Sequence, residues 1–113
     1  MTCALRLSFD AGSGVCLWSM NDEARHRFGV AVDHRQLPLS ENTQRWLDHL
    51  IAWYDTSIDW DAPSFAHERW TAGEANRFLA AFQRGLDLLR EELSAAEFDI
   101  RLAEPAGRSV PRA

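Results

Sequence analysis

An α+β fold is predicted by three patterns along the 113 residues: two alternating apolar stretches joined by a glycine-bearing turn, two amphipathic helical stripes, and a final alternating stretch. The expected architecture is a two-layer domain in which a mainly antiparallel sheet, made of an N-terminal hairpin and a C-terminal strand, packs against two helices. Residues 1–102 are assigned to this single domain and 103–113 to a flexible tail. The chain is long enough for one core and too short for two.

The hairpin comes first. Cys3, Leu5, Leu7 and Phe9 alternate with Ala4, Arg6 and Ser8, the period of a half-buried strand. "DAGSG" supplies the turn from Asp10 to Gly14, and Val15 to Met20 returns as the second strand. Pairing Phe9 with Val15 sets Cys16 against Ser8, Trp18 against Arg6 and Cys3 against Asn21. Cys3 and Cys16 then lie on opposite faces and beyond disulfide reach, so two reduced thiols are expected, in keeping with a cytosolic setting.

"NDEARHR", from Asn21 to Arg27, reads as a helical turn capped by Asn21 or Asp22. "FGVAV" reads as a short strand or a buried loop, between which periodicity does not choose. "LPLS" ends in Ser40, the N-cap of a helix running from Glu41 to about Tyr54. Trp46, Leu47, Leu50, Ile51, Trp53 and Tyr54 share an arc of about 160° on that helix, a core-facing stripe. Asp48 and Asp55, seven residues apart, fall on the opposite side, toward water. Thr71 and Glu74 form a capping-box pattern that opens the second helix. Its apolar stripe is Ala75, Phe78, Leu79, Phe82, Leu86, Leu89 and Leu93. "EFDIRL" closes the domain as a strand carrying Phe98, Ile100 and Leu102.

Composition and charge restrict the class. With 46% hydrophobic and 26% charged residues the chain is expected to fold, which sets wholesale disorder aside. No apolar run approaches the roughly 20 residues of a membrane helix, and Arg6 and Asp10 interrupt any signal-peptide core, so the expected location is the cytoplasm. Between Glu41 and Glu74 seven acids face two arginines, and this window accounts for the whole net charge of −5. Such asymmetry speaks to partners rather than to fold.

Catalytic patterns are weak. None of His26, His34, His49 and His67 has metal-ligand spacing, although Asp59 and Asp61 with His67 and Glu68 would gather oxygen and imidazole ligands on one connector. Cys16 would be a reactive thiol only with His26 or His34 folded over it, and Ser40 is a cap. "AGSG" lacks the spacing and lysine of a phosphate loop. The acidic chain and the absence of an arginine stripe disfavour nucleic acid; Arg25, Arg27 and Arg35 amount to a small solvated patch. No catalytic residue, metal or cofactor is assigned.

Aromatic residues gather near the acidic window. Trp46 and Trp53 belong to the core stripe, whereas Trp18 faces Arg6 on the other side of the hairpin, placed for a cation–π pair or, with Met20, for a partner. Trp60 and Trp70 flank a connector from Asp55 to Trp70, longer than the usual two to eight residues between helices. Such a segment either packs back as a lid, with Ile58, Trp60 and Phe65 as plugs, or is displayed for recognition.

The acidic surface with aromatics set in it suits a protein that binds a basic partner, since carboxylates steer and aromatic anchors hold. "WYDTSIDWDAP" from Trp53 to Pro63, with "CLWSMNDEARHRFG" upstream, resembles the small bacterial immunity proteins of polymorphic and contact-dependent growth-inhibition toxin systems, over about residues 15–100. The resemblance implies stoichiometric inhibition of a cognate toxin domain, in one version a nuclease whose basic surface an acidic one would block. The expected contact centres on Asp55, Asp59, Trp60 and Asp61, with Asp48 and Glu68 at its rim. The alternatives are a homo-oligomeric adaptor joined through Trp18 and Met20 and a small metal-dependent enzyme using Asp59, Asp61 and His67.

Overall fold

The "DAGSG" turn closes because Gly12 and Gly14 adopt positive φ, 80° and 71°, which side chains with a Cβ rarely tolerate. Ser13 Oγ donates to Asp10 O at 2.7 Å inside it. Strand β1 (Cys3–Leu7) and strand β2 (Leu17–Ser19) then pair antiparallel with Leu5 opposite Ser19, Arg6 opposite Trp18 and Leu7 opposite Leu17. This is the register expected from the turn, and Ser8 N donates to Cys16 O at 2.9 Å in keeping with it. The computed structural model describes residues 2–57 and 70–102. The tail assigned to 103–113 lies outside them.

Helix α1 (Asp22–Phe28) starts at Asn21, whose side chain accepts from Ala24 N, and stops at Gly29 with φ 83°. The ambiguous "FGVAV" stretch becomes strand β3 (Ala31–Val32), paired antiparallel with β2 through Leu17 and Val32. A 3-10 turn at His34–Gln36 follows, capped by Asp33.

Helix α2 (Glu41–Asp55) begins at Ser40, whose hydroxyl accepts from Thr43 N. Helix α3 (Ala72–Glu92) begins at Thr71, which accepts from Glu74 N. The capping box is not reciprocal, however: Glu74 Oε2 accepts from Trp53 Nε1 at 3.2 Å, so the carboxylate that would have capped α3 ties it to α2 instead. Gly85 is buried in the helix pair; a Cβ there would lie 3.0 Å from Leu50 Cδ1 and 3.6 Å from the Trp46 indole, so the missing side chain sets the close approach.

At about 1.5 Å per residue α3 spans roughly 30 Å. It returns the chain to the end of the sheet where β1 begins, and Cys3 N donates to Glu97 O at 2.8 Å. Strand β4 (Phe98–Leu102) therefore runs parallel to β1, with Cys3 opposite Phe98 and Leu7 opposite Leu102. The sheet order is β3-β2-β1-β4, with the two other pairings antiparallel. The fold is α+β, as expected; the helical turn read at Asn21 to Arg27 is helix α1, and the "FGVAV" stretch, open between strand and loop in the sequence, adds the fourth strand.

One core holds the two layers together. Leu5, Leu7, Leu17, Val32 and Ile100 from the sheet meet Leu47, Leu50, Phe78, Leu86 and Leu89 from the helices. Phe28 of α1 stacks on Phe98 at 6.4 Å, which brings α1 onto the same side of the sheet. Two stripe positions depart from expectation. Leu79 is 62% exposed because it sits at the margin of the α3 arc, and Leu102, the last residue of edge strand β4, is 49% exposed. Among the described residues no helix is long and apolar enough to cross a membrane.

Candidate binding surface

The six expected contact residues divide by position. Asp59, Trp60, Asp61 and Glu68 lie outside the described residues, as do His67, Ile58 and Phe65. Asp48 and Asp55 are described, and they differ in kind.

Asp48 is committed to the fold. The 3-10 turn brings His34, 1% exposed, against the middle of α2, and its Nε2 lies 2.9 Å from Asp48 Oδ1. Arg35 Nη2 donates to the same oxygen at 2.8 Å. A helix position that periodicity points toward water is thus engaged by two residues of a preceding turn, one of them the charged Arg35. Asp48 also acts on Cys16: burial first, and this carboxylate second, push the thiol up to about 12. Cys3 and Cys16 are both free and buried, and among the described residues no hydrogen bond joins Cys16 to His26 or His34. Cys16 is therefore a neutral, inert thiol.

Asp55 belongs to an acidic end. It closes the last turn of α2, where the helix macrodipole is already negative and no basic residue stands. Its Oδ1 accepts from Gly12 N at 3.1 Å, which ties the hairpin turn to the helix terminus. Asp10 of that turn joins it around Tyr54, whose phenol is raised above its ordinary range by burial and then by Asp10 and Asp55. Sequence reasoning missed Asp10, since its place beside Asp55 depends on a contact between segments more than forty residues apart.

Behind this end lies an aromatic cluster. Phe9 stacks on Tyr54 at 5.6 Å and meets Phe78 edge-on at 5.4 Å. Trp70 packs on Phe78 at 4.9 Å and edge-on to Tyr54 at 6.2 Å, and its Nε1 donates to Thr56 Oγ1 at 2.8 Å. Trp53 meets Phe78 edge-on at 5.3 Å. Both ends of the connector are thus anchored on one aromatic base, Trp53 to Thr56 on one side and Trp70 on the other. Trp46 and Trp53, expected in the core, are partly buried and pack against its margin, and His49 lies between their rings, 5.4 and 5.6 Å away.

The arginines are dispersed. Arg25 pairs with Asp22, Arg35 with Asp33 and Asp48, and Arg27 lies over the rings of Phe28 and Phe98 at 4.9 and 5.8 Å. Trp18 does not form the cation–π pair with Arg6 that the hairpin register invited; its Nε1 donates to Ser8 O at 2.9 Å, which holds the indole along its own hairpin. Among the described residues no group of three or more His, Cys, Asp or Glu side chains is arranged to hold a metal ion.

No protein-family model and no curated protein matches the chain. The geometry defines a surface with carboxylates at the negative end of a helix, beside an aromatic base from which a connector rich in Asp and Trp departs.

Proposed function

We propose that the protein is a small cytoplasmic binding protein, an immunity protein that neutralises a cognate toxin by stoichiometric binding to a basic surface of that toxin. The observation that carries this reading is the placement of Asp55. A carboxylate in the last turn of a helix opposes the macrodipole and weakens the helix by a few tenths of a kcal/mol or more. Here the opposition is reinforced by Asp10 and followed in sequence by Asp59 and Asp61.

Charge gathered against local stability is characteristic of a surface kept for a partner. Long-range attraction from such an end speeds encounter with a cationic protein, and neighbouring aromatics supply desolvated contact area once it docks. Asp55, Asp59, Trp60 and Asp61 are the centre of the contact in this reading, with Asp10 added and Glu68 at the rim. Asp48, spent on His34 and Arg35, is a support for the fold rather than a contact.

The experiment is co-expression of the tagged protein with the open reading frame immediately upstream of its gene, followed by purification at moderate salt. A one-to-one complex that silences a toxic neighbour is the expected result. The absence of both a complex and protection would overturn the reading. With a complex in hand, Asp59→Lys combined with Asp61→Lys should slow association most at low salt and leave thermal stability nearly unchanged.

A further inference from the structure

Strand β4 is an edge of the sheet, and its register with β1 settles which of its backbone groups face outward. Backbone groups of successive strand residues point to opposite sides of the strand. Glu97 O accepts from Cys3 N, so Glu97, Asp99 and Arg101 turn their backbone groups toward β1, while Phe98, Ile100 and Leu102 turn theirs away. Two of the outward groups are taken: Phe98 N donates to Ser94 O at 2.8 Å, and Ile100 O accepts from Arg90 Nη2 at 2.9 Å. Phe98 O, Ile100 N and Leu102 N have no partner among the described residues.

The side chains along this edge are disposed about Ile100. Leu102, 49% exposed, follows Phe98 and Ile100 on the core-facing side of the strand. Beside Phe98 lies an open notch of about 310 Å³ lined by Arg90, Leu93, Ala95, Phe98, Asp99 and Ile100. The edge thus carries an apolar knob after Ile100 and an apolar hollow before it. On the other side of the strand Asp99 and Arg101, both exposed, place opposite charges on either side of Ile100, with Arg101 Nε 2.9 Å from Asp99 Oδ2.

Such an edge is complementary to itself, and we propose that two copies of the chain pair antiparallel through β4 about a two-fold axis at Ile100, joining their sheets into one. In that register Leu102 of each copy faces Phe98 of the other and enters the notch, while Asp99 faces Arg101. Ile100 N and Leu102 N donate to Ile100 O and Phe98 O of the other copy, Ile100 O accepting there through the lone pair that Arg90 leaves free. Asp99 and Arg101 fall at non-hydrogen-bonded positions, where cross-strand side chains come closest and opposite charges stabilise. The two neighbouring registers set Asp99 against Asp99 or Arg101 against Arg101, and like charges reject them. A strand of another protein would need the same order of acid, apolar residue and base, which a second copy supplies. Two short strands cover less than the about 800 Å² per partner of a standard interface, so the dimer is weak, with a dissociation constant on the order of 100 μM. The proposal is independent of the acidic end, and its variants leave Asp10, Asp55, Asp59 and Asp61 in place.

The test is sedimentation and NMR of the full chain, with no added ligand, from about 10 μM to about 1 mM. A monomer that becomes a dimer across this range is expected, with amide exchange at Ile100 and Leu102 slowed at the high end. In a mixture of isotopically labelled and unlabelled chains, an interchain contact between the α protons of Asp99 and Arg101 fixes the register, since such protons approach closely across a non-hydrogen-bonded pair. Leu102→Pro removes an N–H that the single chain does not use, and proline is tolerated on an edge with its nitrogen facing solvent, so dimerisation should weaken roughly tenfold or more while the fold survives. Arg101→Asp sets acids against acids and should weaken it by a similar factor; adding Asp99→Arg restores opposite charges and should recover most of the loss. These charge variants alter exposed side chains and serve if Leu102→Pro does not fold. A chain that stays monomeric, interchain contacts at Trp18 and Met20 instead, or association indifferent to the variants would overturn the proposal. So would slow exchange at Ile100 and Leu102 that is equal at every concentration, which marks an edge covered within the chain.

Discussion

His34 Nε2 lies 2.9 Å from Asp48 Oδ1, joining a turn that follows the sheet to the middle of α2. The imidazole is 1% exposed, so the carboxylate is its bridge to the charged surface, where Arg35 meets the same oxygen. Removing the acid leaves a buried ring nitrogen without its partner. Asp48→Ala should therefore destabilise the protein by about 1–3 kcal/mol in urea unfolding, whereas Arg35→Ala, which removes an exposed ion pair, should cost under about 1 kcal/mol. Equal effects of the two would show that the His34 contact contributes nothing.

A second interhelix tie predicts a pH dependence. Glu92 accepts from the Thr43 hydroxyl, from Ser40 N at 2.7 Å and from Ser40 Oγ at 3.0 Å, so a carboxylate near the end of α3 caps the start of α2. The Thr43 hydrogen bond first, and the Ser40 N–H next, hold its carboxyl below the ordinary value of 4.5. A lowered folded-state value means stability that is present above the unfolded pKa and lost as pH falls through the folded one. The stability gap between wild type and Glu92→Gln should be full at neutral pH and close as the pH is lowered below about 4. Asp33, lowered by the Arg35 N–H, titrates in the same direction in both proteins and cancels in the difference. A gap that widens in acid would contradict this assignment.

Cys16 predicts behaviour at the other extreme. With its thiol pushed up to about 12 it stays protonated in the folded chain where an unfolded cysteine, near 9, ionises. The unfolded state then releases the proton first, so this group makes stability decline as pH rises from about 9 toward 12. At pH 8 a thiol reagent should label neither cysteine rapidly in the native protein and both in denaturant, since both are buried. Fast native labelling of Cys16 would show that the thiol is not sequestered.

Two glycines of α3 separate propensity from packing. At Gly73 a Cβ meets Arg77 Nη1 at 3.5 Å and Thr71 Oγ1 at 3.8 Å, ordinary contacts. Gly73→Ala should stabilise by about 0.5 kcal/mol through helix propensity. At Gly85 the Cβ would stand 3.0 Å from Leu50 Cδ1, and Leu50 is fully buried while Trp46 is fastened through Nε1 to Ala81 O. Gly85→Ala should destabilise by about 1 kcal/mol, overpacking outweighing propensity. Thermal melts of the two variants give opposite signs if the helix contact is as tight as these distances.

The division between what was legible and what was not follows interaction range. Asn21, Ser40 and Thr71 were readable as caps because a capping bond spans two or three residues, and the hairpin register followed from one turn length. Of the candidate surface, Asp55 and the aromatic stripe were legible, whereas Asp10 was not, because its approach depends on the Gly12 to Asp55 bond across 43 residues. Asp48 looked solvent-facing by helical phase, and phase carries no information about which turn will fold over that side.

By itself, then, the sequence determined the elements and their inward faces, since periods of two and 3.6 residues are written locally and burial rewards them directly. Tertiary structure decided which strands became neighbours, that β4 runs parallel to β1, and that Glu74 serves Trp53 rather than its own helix. It also decided which carboxylates were engaged by other side chains and left Arg6 Nε shielded with no hydrogen-bond partner. Those outcomes depend on where α3 delivers the chain and on which groups compete for one donor once the layers close. That competition is settled among residues distant in sequence, where no local pattern records it.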